Sequence, residues 1–166
     1  MFIAEATIRE HAAAAFEQHQ ARLLALLPDA EIQHIGSTAL PGALTKGDLD
    51  IVVRVSQADF DTAAATLAAH YERNTGSTRT ASFASFKDDH ADPPLGIQLV
   101  VRGSDLDDFC TFRDFLAAHP EYLAAYNRLK RAAHGQPMER YREQKSRFVE
   151  QMLRLAQREQ AARSAK

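Results

Sequence analysis

The residues most suited to chemistry lie between His34 and Val53, in the run His-Ile-Gly-Ser-Thr-Ala-Leu-Pro-Gly-Ala-Leu-Thr-Lys-Gly-Asp-Leu-Asp-Ile-Val-Val. A short apolar step, Ile32 and Ile35, leads into Gly36-Ser37. Ten residues follow, and then Asp48-Leu49-Asp50 opens an apolar run. Alternate side chains of a strand share a face, so Asp48 and Asp50 are expected on one side and Leu49 and Ile51 on the other. Two carboxylates side by side repel, and a hard cation that prefers oxygen ligands, such as Mg2+, relieves the repulsion. A Gly-Ser turn offers backbone N–H groups and a hydroxyl to a phosphate. Together, a phosphate cradle and metal carboxylates point to chemistry on a nucleoside triphosphate. The plainer reading of the same pair is a turn aspartate after Gly47 and one solvated residue at a strand end.

Three cations add a second signal. Arg113 lies four residues after Phe109 and three before Leu116, and Lys145 lies four after Tyr141 and three before Phe148, each inside an apolar helical stripe. Lys130 follows Tyr126 by four. A charge on such a stripe needs a partner or a wet cleft. Either these cations neutralise a triphosphate, or they make internal ion pairs, for instance with Asp114 or Glu143. Lys46, just before the aspartates, is a further phosphate-binding candidate or an exposed loop lysine. His34 fits a structural histidine at a strand end, or a group that bonds the loop or an acceptor. Tyr122, Tyr126 and Tyr141 fit core positions with polar tips.

Gly-Ser, a spacer and Asp-x-Asp on a strand resemble the signature of the nucleotidyltransferase superfamily, the polymerase-beta-like fold. The longer string from His34 to Gly42, with Lys46 and Asp50, more narrowly resembles the GrpB family within it. The similarity extends to Phe112 to Leu116, His119-Pro120-Glu121, Tyr126, Leu129-Lys130, Tyr141, Lys145 and Phe148, so it spans roughly residues 30–155. The resemblance implies transfer of a nucleoside monophosphate from an NTP to an acceptor hydroxyl. Asp48 and Asp50 would then be the catalytic metal ligands, Mg2+ the cofactor, and Gly36, Ser37, Lys46, Arg113, Lys130 and Lys145 the nucleotide-binding set. It also implies a third metal carboxylate on a neighbouring strand. The expected place holds Gln98, which can ligate a metal weakly but cannot take a proton from an acceptor. Asp88, Asp89 and Asp92 in the adjacent loop are the substitutes to consider, or solvated loop residues. The rival reading is a nucleotide- or phospholigand-binding module without transfer. A third is an interaction protein built on the C-terminal helices.

The chain bounds these readings. Its 166 residues suit one domain with a real core, and 45% hydrophobic with 25% charged residues is an ordinary globular composition. A net charge of −2 gives no global attraction to nucleic acid or to anionic membrane, so neither is expected as a partner. The single cysteine, Cys110, excludes an internal disulfide and a Cys-rich zinc site, and its apolar surroundings suggest an inert thiol. No apolar stretch reaches membrane-spanning length and no signal-peptide pattern is visible, which makes the cytoplasm the expected location.

The elements that must position the site follow from periodicity. Helical spacing predicts a helix over 5–27, ended by Pro28-Asp29. Strands are expected over 30–35, 48–55, 79–87 and 95–102, the last two antiparallel across a polar loop. Ser56 and Asp59 resemble a capping box opening an Ala-rich helix that runs to about His70. Ser104 with Asp105, Asp107 and Asp108 reads as a helix start, and Pro120 and Pro137 as further starts, giving helices over 105–118, 121–134 and 138–160 with a frayed polar end. The basic tail from Arg154 to Lys166 is interleaved with glutamates and reads as a solvated helix end. Strands early and helices late give an α+β fold: a small mixed sheet flanked by helices, with a helical C-terminal part from about residue 104.

Overall fold

Isoleucine, valine and leucine at alternate positions build the centre of the molecule. In the computed structural model, which describes residues 6–166, β1 (Glu31–Ile35), β2 (Leu49–Val55), β3 (Glu72–Arg73), β4 (Phe83–Asp88) and β5 (Leu95–Val101) form one mixed sheet in the order β1-β2-β5-β4-β3. β2 and β5 run parallel at its centre, in register from Leu49↔Leu95 to Val55↔Val101, and all other pairs are antiparallel. The helices are α1 (Ala6–Leu26), α2 (Phe60–His70), α3 (Phe109–Ala118), α4 (Pro120–Ala132) and α5 (Met138–Ser164). The expected α+β architecture is therefore the observed one. Residue 5 of the expected first helix lies outside the described residues.

The period-2 pattern splits the sheet into two unlike faces. One carries Leu49, Ile51, Val53, Leu95, Ile97 and Leu99, all fully or almost fully buried against α1 and α2. The opposite face carries Asp50, Val52 and Arg54 on β2, beside Gly96, Gln98 and Val100 on β5. There only Ile35, Val52, Phe83 and Val100 make a small apolar cluster with Phe109 and Cys110. Cys110 is half-buried, and burial raises its thiol pKa, as expected of an inert cysteine.

Three boundaries differ from expectation. The helix expected at 105 begins at Phe109, because the Asp107 carboxylate is not a free cap: it accepts two bonds from Arg54, both 2.7 Å, and one from the Gly103 N–H at 2.8 Å. Strand β4 begins at Phe83, four residues late, since 79–82 close a turn in which the Thr80 N–H bonds the Phe83 carbonyl. Helix α5 runs on to Ser164, its last turns supported by an Arg163–Glu159 pair. The two-residue strand β3 is too short for a periodicity signal. The Ser56–Asp59 contact forms as expected, with the Ser56 hydroxyl donating to Asp59 at 2.7 Å and α2 starting at Phe60.

Candidate functional site

Strand alternation puts Asp50 on the open face of β2, where Ile35 is its partner on β1 and two other neighbours are glycines. Gly96 stands opposite it on β5, and Gly36 follows β1. A Cβ built on Gly36 would lie 2.5 Å from Asp50 Oδ2, and one on Gly96 2.8 Å from Oδ1. Gly36 also has a φ of 77°, a region costly for any residue with a side chain. The carboxylate thus occupies space that two glycines leave free. Burial raises its pKa to about 6; Lys145 and Lys130 oppose the rise, and the charge of Asp48 adds to it.

Around Asp50 opens a cleft of about 220 Å3, lined by Gly36, Ser37, Gln98, Asp108, Arg113 and Lys145 and by an apolar wall that includes Phe109, Phe112 and Tyr126. Arg113 is aimed by a bond from Nη1 to the His34 carbonyl at 2.8 Å and by Asp114 at 2.8 Å, so the internal pair and the cleft position coexist. Lys145 is exposed at the rim and makes no hydrogen bond or ion pair among the described residues. Gln98 is half-buried in the cleft, and its amide makes no hydrogen bond among them either.

The loop that carries Gly36 and Ser37 to this place is fastened by side chains from distant elements. Asn127 Oδ1 accepts the Leu44 N–H at 2.8 Å, and its Nδ2 donates to the Gly42 carbonyl at 2.9 Å. Arg9 donates to the carbonyls of Leu40 (3.0 Å) and Ala43. Inside the loop, the Ser37 hydroxyl donates to Thr45 Oγ1 at 2.9 Å, which also accepts the Gly47 N–H at 3.0 Å. Leu40 and Ala43 pack into the core of α3, α4 and α5 with Leu116, Tyr126 and Met152. Every buried carbonyl so capped removes a desolvation penalty of about 1–3 kcal/mol.

Three expected site residues stand elsewhere or act differently, while His34 takes the structural, loop-bonding place expected of it. Asp48 precedes the strand, is exposed and does not line the cleft; β2 pairing begins at Leu49, and the Asp48 carbonyl is tied down by Thr38 Oγ1 at 3.1 Å. Lys46 also points away: Thr45 is fully buried, so its neighbour turns outward into a separate groove beside Ile8 and Asp92. Lys130 is 3% exposed and faces the loop, donating to the Leu44 carbonyl at 2.7 Å with the Tyr126 ring 4.2 Å away. Burial, then Lys145 and Arg9, lower its pKa to about 7. His34 lies on the α1 side, stacked on Phe16 at 5.3 Å. Its Nε2 is 2.9 Å from Thr38 Oγ1, and because that hydroxyl gives its proton to Asp48, the histidine is the donor. Burial, with Arg113 nearby, lowers its pKa to about 4, so it is neutral.

The substitute acids are also placed elsewhere. Asp89 pairs with Lys87 and Asp92 with His11, while Asp88 bonds the His90 N–H, and none lines the cleft. Sequence reasoning missed Gly96, Asp108, Asn127 and Arg9. A lone glycine inside a strand pattern does signal close approach, so Gly96 was findable. Asp108 hid inside a helix-start signal, and the clamps span 31 to 85 residues, beyond any local pattern.

The donor set decides what cation fits. Within the cleft the chain offers the Asp50 and Asp108 carboxylates and the Gln98 amide oxygen, and no group of three acids or histidines suited to a metal occurs among the described residues. Such a set suits one Mg2+ that completes its shell with ligand phosphates and water. It does not suit a pair of ions bridged by three carboxylates.

The fold is of the nucleotidyltransferase-like kind. The structure is similar to the Cid1 poly(U) polymerase bound to MgGTP, with a TM-score of 0.54 at 17% identity over 73% of this chain and 39% of that one. It is similar also to GrpB from Enterococcus faecalis, with a TM-score of 0.70 at 20% identity over 89% of this chain and 93% of the other. At these identities the likeness concerns the fold. A sequence model of the GrpB protein family matches residues 6–155, and the chain belongs to that family. It is 34% identical to a UPF0157 protein of Vibrio cholerae over 83% of its length and 73% of the relative's, and 31% identical to one of Deinococcus radiodurans over 87% and 77%. No helix among the described residues is long and apolar enough to cross a membrane.

Proposed function

We propose that the cleft binds a nucleotide by its phosphates, with Mg2+ carried on the ligand. The observation that carries this reading is a half-buried carboxylate, Asp50, in the same cleft as two cations, Arg113 and Lys145, the latter without an ion pair among the described residues. Arg113, pre-aimed by the His34 carbonyl, and Lys145 at the rim would neutralise phosphate oxygens. Asp50 and Gln98 would supply protein oxygens to the cation, which lowers the charge on the phosphates. Gly36 and Ser37 border the same space. The apolar wall of Phe109 and Phe112 suits the rest of the ligand.

Transfer of a nucleoside monophosphate to a small-molecule or protein hydroxyl is the second reading. It draws support from the fold class and from Asp48, whose charge is felt at Asp50. In it the acceptor hydroxyl oxygen would attack the α-phosphorus as its proton passes to water, pyrophosphate would leave, and Lys145 and Arg113 would balance the growing negative charge. Gln98 in place of a third acid, and the exposed Asp48, favour binding alone. A thermal-shift screen of the four NTPs, each with and without Mg2+, tests the binding reading. At least one NTP should raise the melting temperature, more so with Mg2+, because a ligand of the native state alone must stabilise it. No shift at millimolar concentrations would refute it. Release of pyrophosphate from an NTP and a hydroxyl acceptor would lift the second reading above the first.

A further inference from the structure

The overall charge of −2 hides a segregation. Residues 1–119 carry nine Lys and Arg against seventeen Asp and Glu, a net −8, while residues 120–166 carry eleven against five, a net +6. The positive part is α4 and α5. On α5 the residues Arg140, Gln144, Arg147, Gln151, Arg154 and Arg158 follow one another at steps of four and three. That spacing puts them on one helical face about 27 Å long, bordered on one side by Glu143 and Glu150. All but Gln144 are exposed, and Gln144 is half-buried. Arg140, Arg147 and Arg158 make no ion pair among the described residues, and Arg154 has only an exposed contact of 3.8 Å with Glu150. The middle of the strip forms one wall of a shallow groove against α4, with Arg128 on the other wall and Leu129, Ala132 and Phe148 along it.

We propose that this strip and groove bind a single-stranded polynucleotide. Its three kinds of surface match the three parts of a nucleotide. Arginines on both walls meet phosphates, the amides of Gln144 and Gln151 both donate to and accept from sugar and base edges, and the apolar floor receives base faces. An acidic peptide would need donors only, and gives no use to the glutamine acceptors. A membrane surface would need an exposed apolar face, and the exposed part of this strip is polar throughout. The groove lies across α5 from the cleft, whose rim Lys145 comes from the same helix. Strand binding stands apart from the nucleotide reading and does not require it.

The test is fluorescence anisotropy of the full chain with a labelled mixed-sequence 20-nucleotide RNA, and with the DNA of the same sequence. Binding should weaken about fifty-fold between 50 and 200 mM salt if four arginines neutralise four phosphates. Replacing Arg140, Arg147 and Arg158 together by Glu should abolish it, with the melting temperature unchanged because all three are exposed, while Arg73→Glu on β3 should leave binding intact. Polyglutamate at equal charge should compete poorly. No binding at tens of micromolar protein, equal competition by polyglutamate, or binding that survives the triple reversal would each overturn the proposal.

Discussion

The two faces of the central sheet use the same strands for opposite ends. Ile97 and Gln98 are neighbours on β5, yet one is fully buried against α1 and α2 and the other looks into a cleft. The first face is apolar almost without interruption, and closes. The second holds a carboxylate with a raised pKa, two glycines that make room for it, and an amide without a hydrogen-bond partner among the described residues. A buried polar group costs stability unless it is paired. The contrast teaches that one side of the sheet is given wholly to burial, while the other combines a small apolar cluster with polar groups whose partners a ligand would supply.

The sharpest way to break this comparison is truncation on the two sides of one strand. Ile97→Ala should destabilise the protein by about 2–5 kcal/mol in denaturant unfolding, through lost burial and a cavity. Gln98→Ala next door should change stability by less than about 1 kcal/mol. Equal losses at both positions would erase the difference between the faces.

A pH titration comes next in size. Folded Asp50 keeps its proton up to about pH 6, whereas the unfolded chain releases it near the ordinary value of 3.8. Between these values the native state binds more protons, so this group's contribution falls as pH rises from about 4 to 6, by on the order of 2 kcal/mol. Asp107 works the other way: its bonds with Arg54 lower its pKa, and that stability is lost as pH falls. The difference between wild type and Asp50→Asn isolates the first effect. Unfolding curves at pH 4, 5, 6 and 7 whose difference stays flat would show that Asp50 is not held in a low-dielectric place.

How much of this was legible follows from how local each signal is. The period of two around Leu49 to Val55 gave both faces and put Asp50 on the open one, and a cation inside an apolar stripe located Arg113 and Lys145 at a cleft. The same stripe argument could not tell Lys145 from Lys130, because what distinguishes them is the Leu44 carbonyl, 86 residues away in sequence from Lys130. Strand alternation groups Asp48 with Asp50, and proximity adds Lys46, but the strand starts only at Leu49 and the buried Thr45 turns the loop outward. The helix-start signal at Ser104 failed for a similar reason, since Asp107 is held by Arg54, 53 residues away. Local chemistry was readable; long-range capture of a polar group was not.

The smallest stability effect is expected at the rim. Lys145→Met keeps the apolar stem and removes a charge that makes no ion pair among the described residues, so the unfolding free energy should stay within about 0.5 kcal/mol of wild type while nucleotide affinity falls at least about tenfold. Marked destabilisation with unchanged affinity would mean that Lys145 serves the fold alone.

The central claim is that the open face of the sheet is a phosphate-ligand site organised around Asp50. Isothermal titration of the NTP that gives the largest thermal shift, into wild type and Asp50→Asn, with and without Mg2+, tests it most directly. The substitution preserves size and removes the charge that a hard cation needs. Wild type should bind more tightly when Mg2+ is present, and the variant should lose that gain while keeping its Mg2+-free affinity. An Asp50→Asn protein that gains as much from Mg2+ as wild type would contradict the account.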